Sequence, residues 1–374
     1  MKKILLLGSV TTSTPPLKHG GTEWVVYFQA KNLARFGVKI ILVSYLSSKK
    51  NFIQALNNEG EKKIDLILRN IEFIELGNES DKGQLSKEGS QKEILTESSR
   101  KLRIEINYLA QVEEILIKRE KEYEVILNNM RGGESIFVPI ANFLNKTLIS
   151  VLHLNLFPEL ITILKRPNVF VIPLSNHQRL DFPEINYLET IPNPTSPAIF
   201  KFNPTPKNYA LYISTIGYHK NQKDAILACK KASIPLIISG KIRDKDYFNK
   251  EIKPYIDNKE VIYYKELDLN KKIKLYQEAK VFLFPIKWQE PFGLVVIESL
   301  MSGTPVIAYP NGGPSEIIKN GVNGFLVKNY QEMAEKIKKI DQIERKNCRL
   351  YAERNFSDEI VGNKYFQVLK KFLS

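Results

Sequence analysis

The sequence predicts an α/β chain made of two successive doubly wound units, each a parallel sheet covered by helices. Three observations carry this expectation. Short apolar runs alternate with amphipathic stretches through the first half. A proline-rich segment then interrupts the pattern, and the same alternation restarts after it. The length of 374 residues supplies enough material for two hydrophobic cores of ordinary size.

In chain order, Ile4–Leu7 reads as a buried strand, and residues 22–36 read as a helix. Trp24, Val25, Phe28, Leu33 and Phe36 mark its apolar side. Gly20 and Gly21 allow a tight turn before it, and Thr22 is the expected N-cap. Gly37 ends the helix, and residues 38–44 form the next strand. Strand, helix and strand with short links make the βαβ unit of a parallel sheet. Residues 77–98 are polar and rich in Gly and Ser, which predicts a mobile surface loop. Helices are expected at 102–121 and 135–144, and strands at 125–127, 147–152 and 169–174.

Pro192, Pro194, Pro197, Pro204 and Pro206 follow, and so dense a set fits neither a helix interior nor a sheet. We place a first domain at 1–192, a linker at 193–208, a second domain at 209–355, and a C-terminal helical tail at 356–374 that packs back across the linker. Strands are expected at 209–213, 236–239, 261–264, 281–284, 305–308 and 324–327. Helices are expected at 222–232, 247–257, 269–279, 294–301 and 331–339. Two doubly wound units place a ligand in the cleft between them, near the carboxyl ends of strands.

Bulk properties exclude several classes. Two cysteines, Cys229 and Cys348, cannot build a disulfide framework and have no zinc-site spacing. The apolar start is too short for a signal peptide, and the most apolar window, 148–164, is broken by His153, Asn155, Pro158 and Glu159. The formal net charge is +14. Residues 1–200 hold 25 basic and 22 acidic side chains, and residues 201–374 hold 30 and 19. The excess therefore sits in the second half, where it suits phosphates or an anionic surface as well as a plain solvated face. No nucleic-acid motif accompanies it.

The residues richest in chemistry follow the expected strand 281–284. Glu290, Pro291, Phe292 and Gly293 form a loop, and a helix begins at Leu294. A helix start offers unbonded N–H groups and the positive end of the dipole, and Gly293 lets a ligand approach that backbone. This is a natural seat for a diphosphate. Glu298 lies about a turn into the helix, where a carboxylate can accept both hydroxyls of a ribose. Glu290 precedes the helix and can grip sugar hydroxyls. Spacing alone leaves open that both glutamates simply favour a helix N-terminus.

The run Trp288-Gln-Glu-Pro-Phe-Gly-Leu-Val-Val-Ile-Glu-Ser-Leu-Met-Ser-Gly-Thr-Pro-Val-Ile-Ala308 resembles the donor signature of the glycogen-synthase-like retaining glycosyltransferases, family 4, with its two glutamates separated by seven residues. Asn311-Gly-Gly-Pro-Ser-Glu-Ile-Ile and Asn320-Gly-Val-Asn-Gly-Phe-Leu-Val fit later parts of the pattern. Ile191-Pro-Asn193 and Phe200 fit an earlier part, with Pro194 where glycine is usual. The resemblance spans nearly the whole chain and is strongest from 261 to 327. It implies two Rossmann-like domains facing a cleft, the GT-B fold. It also implies transfer of a sugar from a nucleotide-diphosphate sugar, UDP- or GDP-linked, with retention of configuration. The acceptor would be a glycan, a glycolipid or a small molecule, in surface-polysaccharide or glycoconjugate synthesis. No resident cofactor, no metal and no nucleic-acid partner is implied, and a cytoplasmic location with peripheral attachment to the inner membrane face is compatible.

The resemblance also assigns the remaining candidates. Gly20 and Gly21 match a glycine-rich loop near the donor phosphate and the acceptor. His153, at the end of the strand 147–152, matches a histidine close to the donor sugar. Lys220 matches a lysine that neutralises the leaving diphosphate. The family carries a Gly-Arg pair where this chain has Ser214 and Thr215, so Thr215 donates one neutral hydrogen bond in place of a charged fork. Arg243 and Lys287 are the candidate substitutes. Gly240, ending strand 236–239, borders the nucleotide. Asp244-Lys-Asp246 reads as a helix cap, not a metal motif. Asn128–Gly133 reads as a turn, with Arg131 available to an anionic acceptor. The absent arginine motivates the alternative of a non-catalytic sugar-nucleotide-binding protein with a regulatory or scaffolding role. A phosphorylase of the same fold would need pyridoxal phosphate and a longer chain.

Overall fold

The computed structural model describes residues 3–9, 11–16, 20–77 and 91–373, with backbone alone at 91–101. It divides into two compact units. Unit 1 comprises Met1–Pro173, Arg179–Ile191 and Gly362–Ser374; unit 2 comprises Leu174–Gln178 and Pro192–Val361.

Unit 1 holds a six-stranded parallel sheet: β1 (Lys3–Leu7), β2 (Ile40–Tyr45), β3 (Ile71–Leu76), β4 (Tyr123–Asn128), β5 (Thr147–Val151) and β6 (Val169–Ile172). Its order is β3-β2-β1-β4-β5-β6. The central strands are continuous apolar runs because helices cover both faces; all six residues of β2 are buried. Edge strand β3 instead carries exposed Glu72 and Glu75. The helices are α1 (Gly21–Arg35), α2 (Ser48–Glu59), α3 (Ile64–Arg69), α4 (Gln91–Lys118), α5 (Gly133–Phe143) and α6 (Pro158–Leu164).

Unit 2 repeats the plan with β7 (Ala210–Ile213), β8 (Leu236–Ser239), β9 (Val261–Tyr264), β10 (Val281–Phe284), β11 (Val306–Ala308) and β12 (Gly324–Leu326). Their order is β12-β11-β10-β7-β8-β9, again all parallel. The helices are α7 (Gln222–Ala232), α8 (Leu269–Glu278), α9 (Leu294–Met301), α10 (Pro314–Ile317), α11 (Tyr330–Lys338) and α12 (Arg345–Phe356), and α13 (Asp358–Leu369) closes the chain. Chain order reverses between β1 and β4 in unit 1 and between β7 and β10 in unit 2. Those two switch points are where ligands bind in doubly wound sheets.

Several expectations need correction. Residues 78–90 of the predicted loop lie outside the described residues, and 91–98 are helical, because α4 starts eleven residues before Leu102. Thr22 is not the N-cap: α1 begins at Gly21, Gly20 holds the cap position, and no side chain caps the helix. The helix expected at 247–257 is three short pieces, an α-turn at Lys245–Tyr247, a π-turn at Phe248–Ile252 and a 3₁₀ turn at Lys253–Tyr255. Pro254 lacks the N–H that a continuous helix needs, which tightens the last turn.

The proline-rich segment is pinned to unit 2 by two arginines of α12. Arg345 donates to the carbonyls of Asn203 (2.8 Å), Ala279 (2.8 Å) and Gln277 (2.7 Å). Arg349 donates to those of Met301 (2.6 Å), Pro197 (3.2 Å) and Phe200. The end of the chain packs in unit 1, where Phe366 meets Phe36 and Phe372 meets Phe170, with ring centroids 5.2 and 5.3 Å apart. Among the described residues, no helix is long and apolar enough to cross a membrane.

Candidate functional site

The switch point of unit 2 joins residues seventy positions apart. The chain leaves β7 through Ser214 and Thr215 into a 3₁₀ turn, Tyr218–Lys220. It leaves β10 through Pro285 to the loop at Glu290. The adjacency of β7 and β10 brings these exits together, and they are cross-linked. Asn221 Nδ2 donates to the Pro285 carbonyl at 2.9 Å, and the Lys287 amide donates to the His219 carbonyl at 2.9 Å.

Lys220 and Glu290 then meet. Lys220 Nζ lies 2.8 Å from Glu290 Oε2, with the two side chains 13% and 17% exposed. Trp288 Nε1 donates to the same oxygen at 2.9 Å. Oε1 receives no hydrogen bond from the described residues, so it is the oxygen left for a ligand hydroxyl. The Lys220 ammonium also lies 4.8 Å from the Trp288 ring centroid and 5.9 Å from that of Phe284. The charge is thus held by a carboxylate and two aromatic faces while its edge stays wet.

The loop after Glu290 is shaped by glycines opposite it. Gly312 has φ +76°, and a Cβ there would lie 2.3 Å from the Glu290 carbonyl oxygen. A Cβ on Gly313 would lie 2.6 Å from Phe292 Cα, and the Gly313 amide donates to the Glu290 carbonyl at 2.8 Å. Ser175 Oγ donates to the Pro291 carbonyl at 2.8 Å, and Glu316 accepts the amides of Asn176 and His177 at 3.0 and 2.7 Å. Phe292 is buried against Phe356. Gly293, at φ +103°, then caps α9. The amides of Leu294 and Val295 have no acceptor among the described residues, while that of Val296 returns to the Gly293 carbonyl. Leu294 and Val295 are half-buried, and unbonded amides in the first turn of a helix are what anion binding requires.

Glu298 projects from α9 toward α8. Both its oxygens engage Lys272 Nζ, at 2.8 and 2.7 Å, and Tyr276 donates at 3.1 Å. Sequence spacing marks Glu298 but misses Lys272 and Tyr276; their i, i+4 spacing places both on one face of α8. At Gly240 the backbone demands glycine, since a Cβ there would lie 1.7 Å from the Ser214 carbonyl oxygen. Thr215 is half-buried, and its side chain has no hydrogen-bond partner among the described residues. Of the suggested replacement cations, Lys287 lies 4.8 Å over the Tyr218 ring. Arg243 is exposed, and its amide bonds to the Ile216 carbonyl, next to Thr215. Asp244 caps its turn, accepting from the Tyr247 amide at 2.9 Å.

In unit 1, Gly20 and Gly21 start α1, and a Cβ on Gly20 would lie 2.4 Å from Glu23 Oε2. Burial holds the Glu23 carboxyl above its usual range, although Arg131 opposes that shift. His153 follows β5 and lines a cavity of about 260 Å³ with Arg131, Glu134, Ser135, Asn155 and Phe157. The ring keeps some solvent contact through that cavity, yet protein surrounds it. Burial first, and the Arg131 guanidinium second, hold the imidazole well below its ordinary pKa, so it is neutral near pH 7. Burial also raises Glu134.

The model of the glycosyl transferases group 1 family matches residues 197–355. An uncharacterized glycosyltransferase of Methanocaldococcus jannaschii is 30% identical over 166 residues, 43% of this chain and 40% of that protein. A mouse GDP-Man:Man(3)GlcNAc(2)-PP-Dol alpha-1,2-mannosyltransferase is 26% identical over 223 residues, 55% of this chain and 44% of that protein. The matches thus span less than half the length of either curated relative. Among solved structures, sucrose-phosphate synthase from Thermosynechococcus elongatus aligns with a TM-score of 0.74 at 17% identity, covering 100% of this chain and 99% of that one. Anabaena HepE in complex with UDP and glucose aligns with a TM-score of 0.71 at 18% identity, covering 99% and 100%. At these identities the structural matches establish the architecture, which is GT-B with two Rossmann-like units. Residues 197–355, which match the model of the glycosyl transferases group 1 family, carry Lys220, Glu290, Glu298 and the glycines that shape their loop.

Proposed function

We propose that the chain is a retaining hexosyltransferase that moves a sugar from a nucleotide-diphosphate sugar to a glycan, glycolipid or small-molecule acceptor. The observation that carries this reading is the contact of Lys220 with Glu290 at the β7–β10 switch point, followed in the chain by the amides of Leu294 and Val295, which have no acceptor among the described residues. The amides take the diphosphate, and Lys220 supplies positive charge as the leaving diphosphate gains negative charge. Glu290 Oε1 accepts a sugar hydroxyl, and Glu298 accepts the ribose diol by sharing its carboxylate with Lys272 and Tyr276. His153 contacts the substrate from the cavity of unit 1. Orientation and charge stabilisation supply the rate, without a protein nucleophile.

A thermal-shift panel of UDP, GDP, ADP and their sugars tests the donor site. A ligand at a hundredfold its Kd stabilises the folded state by about 2.7 kcal/mol. One base series should raise the melting temperature, and Glu298→Ala should abolish that shift. No shift with any nucleotide would sink the reading. Thr215 favours a second reading, since it puts no charge where the family has arginine. A protein kept only for binding would show the shift but release no nucleoside diphosphate with any acceptor offered.

A further inference from the structure

Unit 1 contains a buried pair of side chains behind His153 that the proposed function does not use. Gln29 on α1 and Asn129 after β4 are 1% and 2% exposed. They form a reciprocal amide pair: Gln29 Nε2 donates to Asn129 Oδ1 at 3.2 Å, and Asn129 Nδ2 donates to Gln29 Oε1 at 2.9 Å. His153 Nε2 lies 2.9 Å from the same Asn129 Oδ1. An amide oxygen only accepts, and the Asn129 nitrogen is committed to Gln29, so the imidazole must bring the proton. Turning both amides end for end would make Nε2 the acceptor and put the proton on Nδ1 at the cavity, so the amide orientation and the tautomer are one question.

The placement gives this pairing a consequence. His153 lines the cavity and Asn129 does not, so the Nε2 edge is tied to the protein behind the wall. Nδ1 is the nitrogen left for a ligand. The charged groups on that side are Arg131 and Glu134 in the cavity, with Glu23 of α1 beyond Arg131. The guanidinium opposes a second proton on the ring.

We propose that Asn129, held by Gln29, is a positioning residue that fixes His153 as the neutral Nε2–H tautomer, so that Nδ1 accepts a hydrogen bond from a hydroxyl of substrate bound in the cavity. The tautomer stands on the geometry of unit 1 alone. The role of Nδ1 rests on the reading that His153 contacts substrate.

The test uses the full chain with ¹⁵N-labelled histidine. Four histidines give signals, and loss of one set in His153→Gln assigns the site. At pH 7 we expect His153 Nε2 to be of the protonated, pyrrole type and Nδ1 of the pyridine type. Asn129→Asp should keep that tautomer and raise the pH of ring protonation by more than one unit. A Gln29→Leu/Asn129→Leu double variant removes both amides together, so neither is left buried and unpaired. It should give a mixture of tautomers. Turnover is read as nucleoside diphosphate release from UDP-glucose and GDP-mannose. In the double variant kcat should fall about tenfold while the donor KM changes less than twofold, a rise of about 1.4 kcal/mol in the barrier. An Nδ1-protonated ring in the parent, or an unchanged tautomer in the double variant, overturns the proposal. Undiminished turnover by His153→Gln overturns the substrate contact and leaves the fixed tautomer standing, so the two failures are told apart.

Discussion

The two switch points solve opposite electrostatic problems. In unit 2, Lys220 and Glu290 form a largely buried ion pair, with the indole N–H and two aromatic faces around them. In unit 1, Gln29, Asn129 and His153 form a chain with no formal charge, and burial, with Arg131 second, discourages the imidazole from acquiring one. A diphosphate must be met by positive charge, and a paired lysine can turn to it without leaving a bare ion in the protein. A hydroxyl needs only a lone pair at a fixed place. The difference teaches that similar doubly wound frames can be specialised by what the strand exits carry, with the sheets left alike.

The most damaging way to test the charged side is Glu290→Ala. It removes the oxygen that takes no hydrogen bond from the described residues and leaves Lys220 without its carboxylate. Loss of one preorganised polar contact in an active site costs about 10²–10³ in kcat, and turnover should fall by that factor. Glu290→Gln, which keeps an acceptor, should lose less. Equal turnover by parent and Glu290→Ala would remove Glu290 from the mechanism.

The next effect concerns the frame that holds Glu290. Gly312 and Gly321 have nearly the same backbone angle, φ +76° and +78°. A methyl group on Gly312 would collide with the Glu290 carbonyl, whereas nothing lies within 4 Å of one on Gly321. Gly321→Ala should cost about 1 kcal/mol, the left-handed penalty alone. Gly312→Ala should cost about 3 kcal/mol, because the loop must also shift. Urea unfolding of the two variants measures the difference, and equal midpoints would show that the loop yields freely.

The same contrast sets what is legible in the sequence. Strands β8, β9 and β10, together with α7 and α9, fall at the expected residues, because apolar runs bounded by glycine, proline and polar turns are local signals. Glu290, Glu298 and Lys220 stand out as residue types at strand exits. What each of them touches does not, since those contacts follow from strand order. Asn129 and His153 are 24 positions apart and meet because β4 and β5 are neighbours. Lys272 reads as one more surface lysine until α8 places it against Glu298. Edge strand β3 escapes the periodicity, since its two exposed glutamates break the apolar run. Thr22 misleads because side-chain preference suggests a cap where a glycine already stands.

A smaller effect separates nucleotide binding from chemistry. Lys272→Met keeps the length of the side chain but frees both Glu298 oxygens of their cation. If the ribose shares that carboxylate, the donor Kd should change by about tenfold or less while turnover at saturation stays near that of the parent. Calorimetric titration with UDP and GDP reads the first quantity, and saturating kinetics the second. A fall in kcat with unchanged Kd would place Lys272 on the reacting side instead.

The smallest effect tests the neutral side, and its sign can be worked out in advance. The His153 pKa is depressed in the folded chain, whereas in the unfolded chain it is about 6.5. Above pH 6.5 both states are neutral at this site, and its contribution to stability is fully present. As the pH falls below 6.5, the unfolded chain takes up the proton first, so stability drains toward the folded-state pKa. One proton corresponds to at most about 1.4 kcal/mol per pH unit, and the ring's contact with water through the cavity lowers that figure. Between pH 7 and pH 5.5 the parent should therefore lose up to about 1 kcal/mol more than His153→Gln, which has nothing to protonate there. Urea midpoints at the two pH values decide it. Parallel losses in both proteins would mean that the folded ring accepts a proton as readily as the unfolded one, and the contrast between a charged and a neutral switch point would fail on its neutral side.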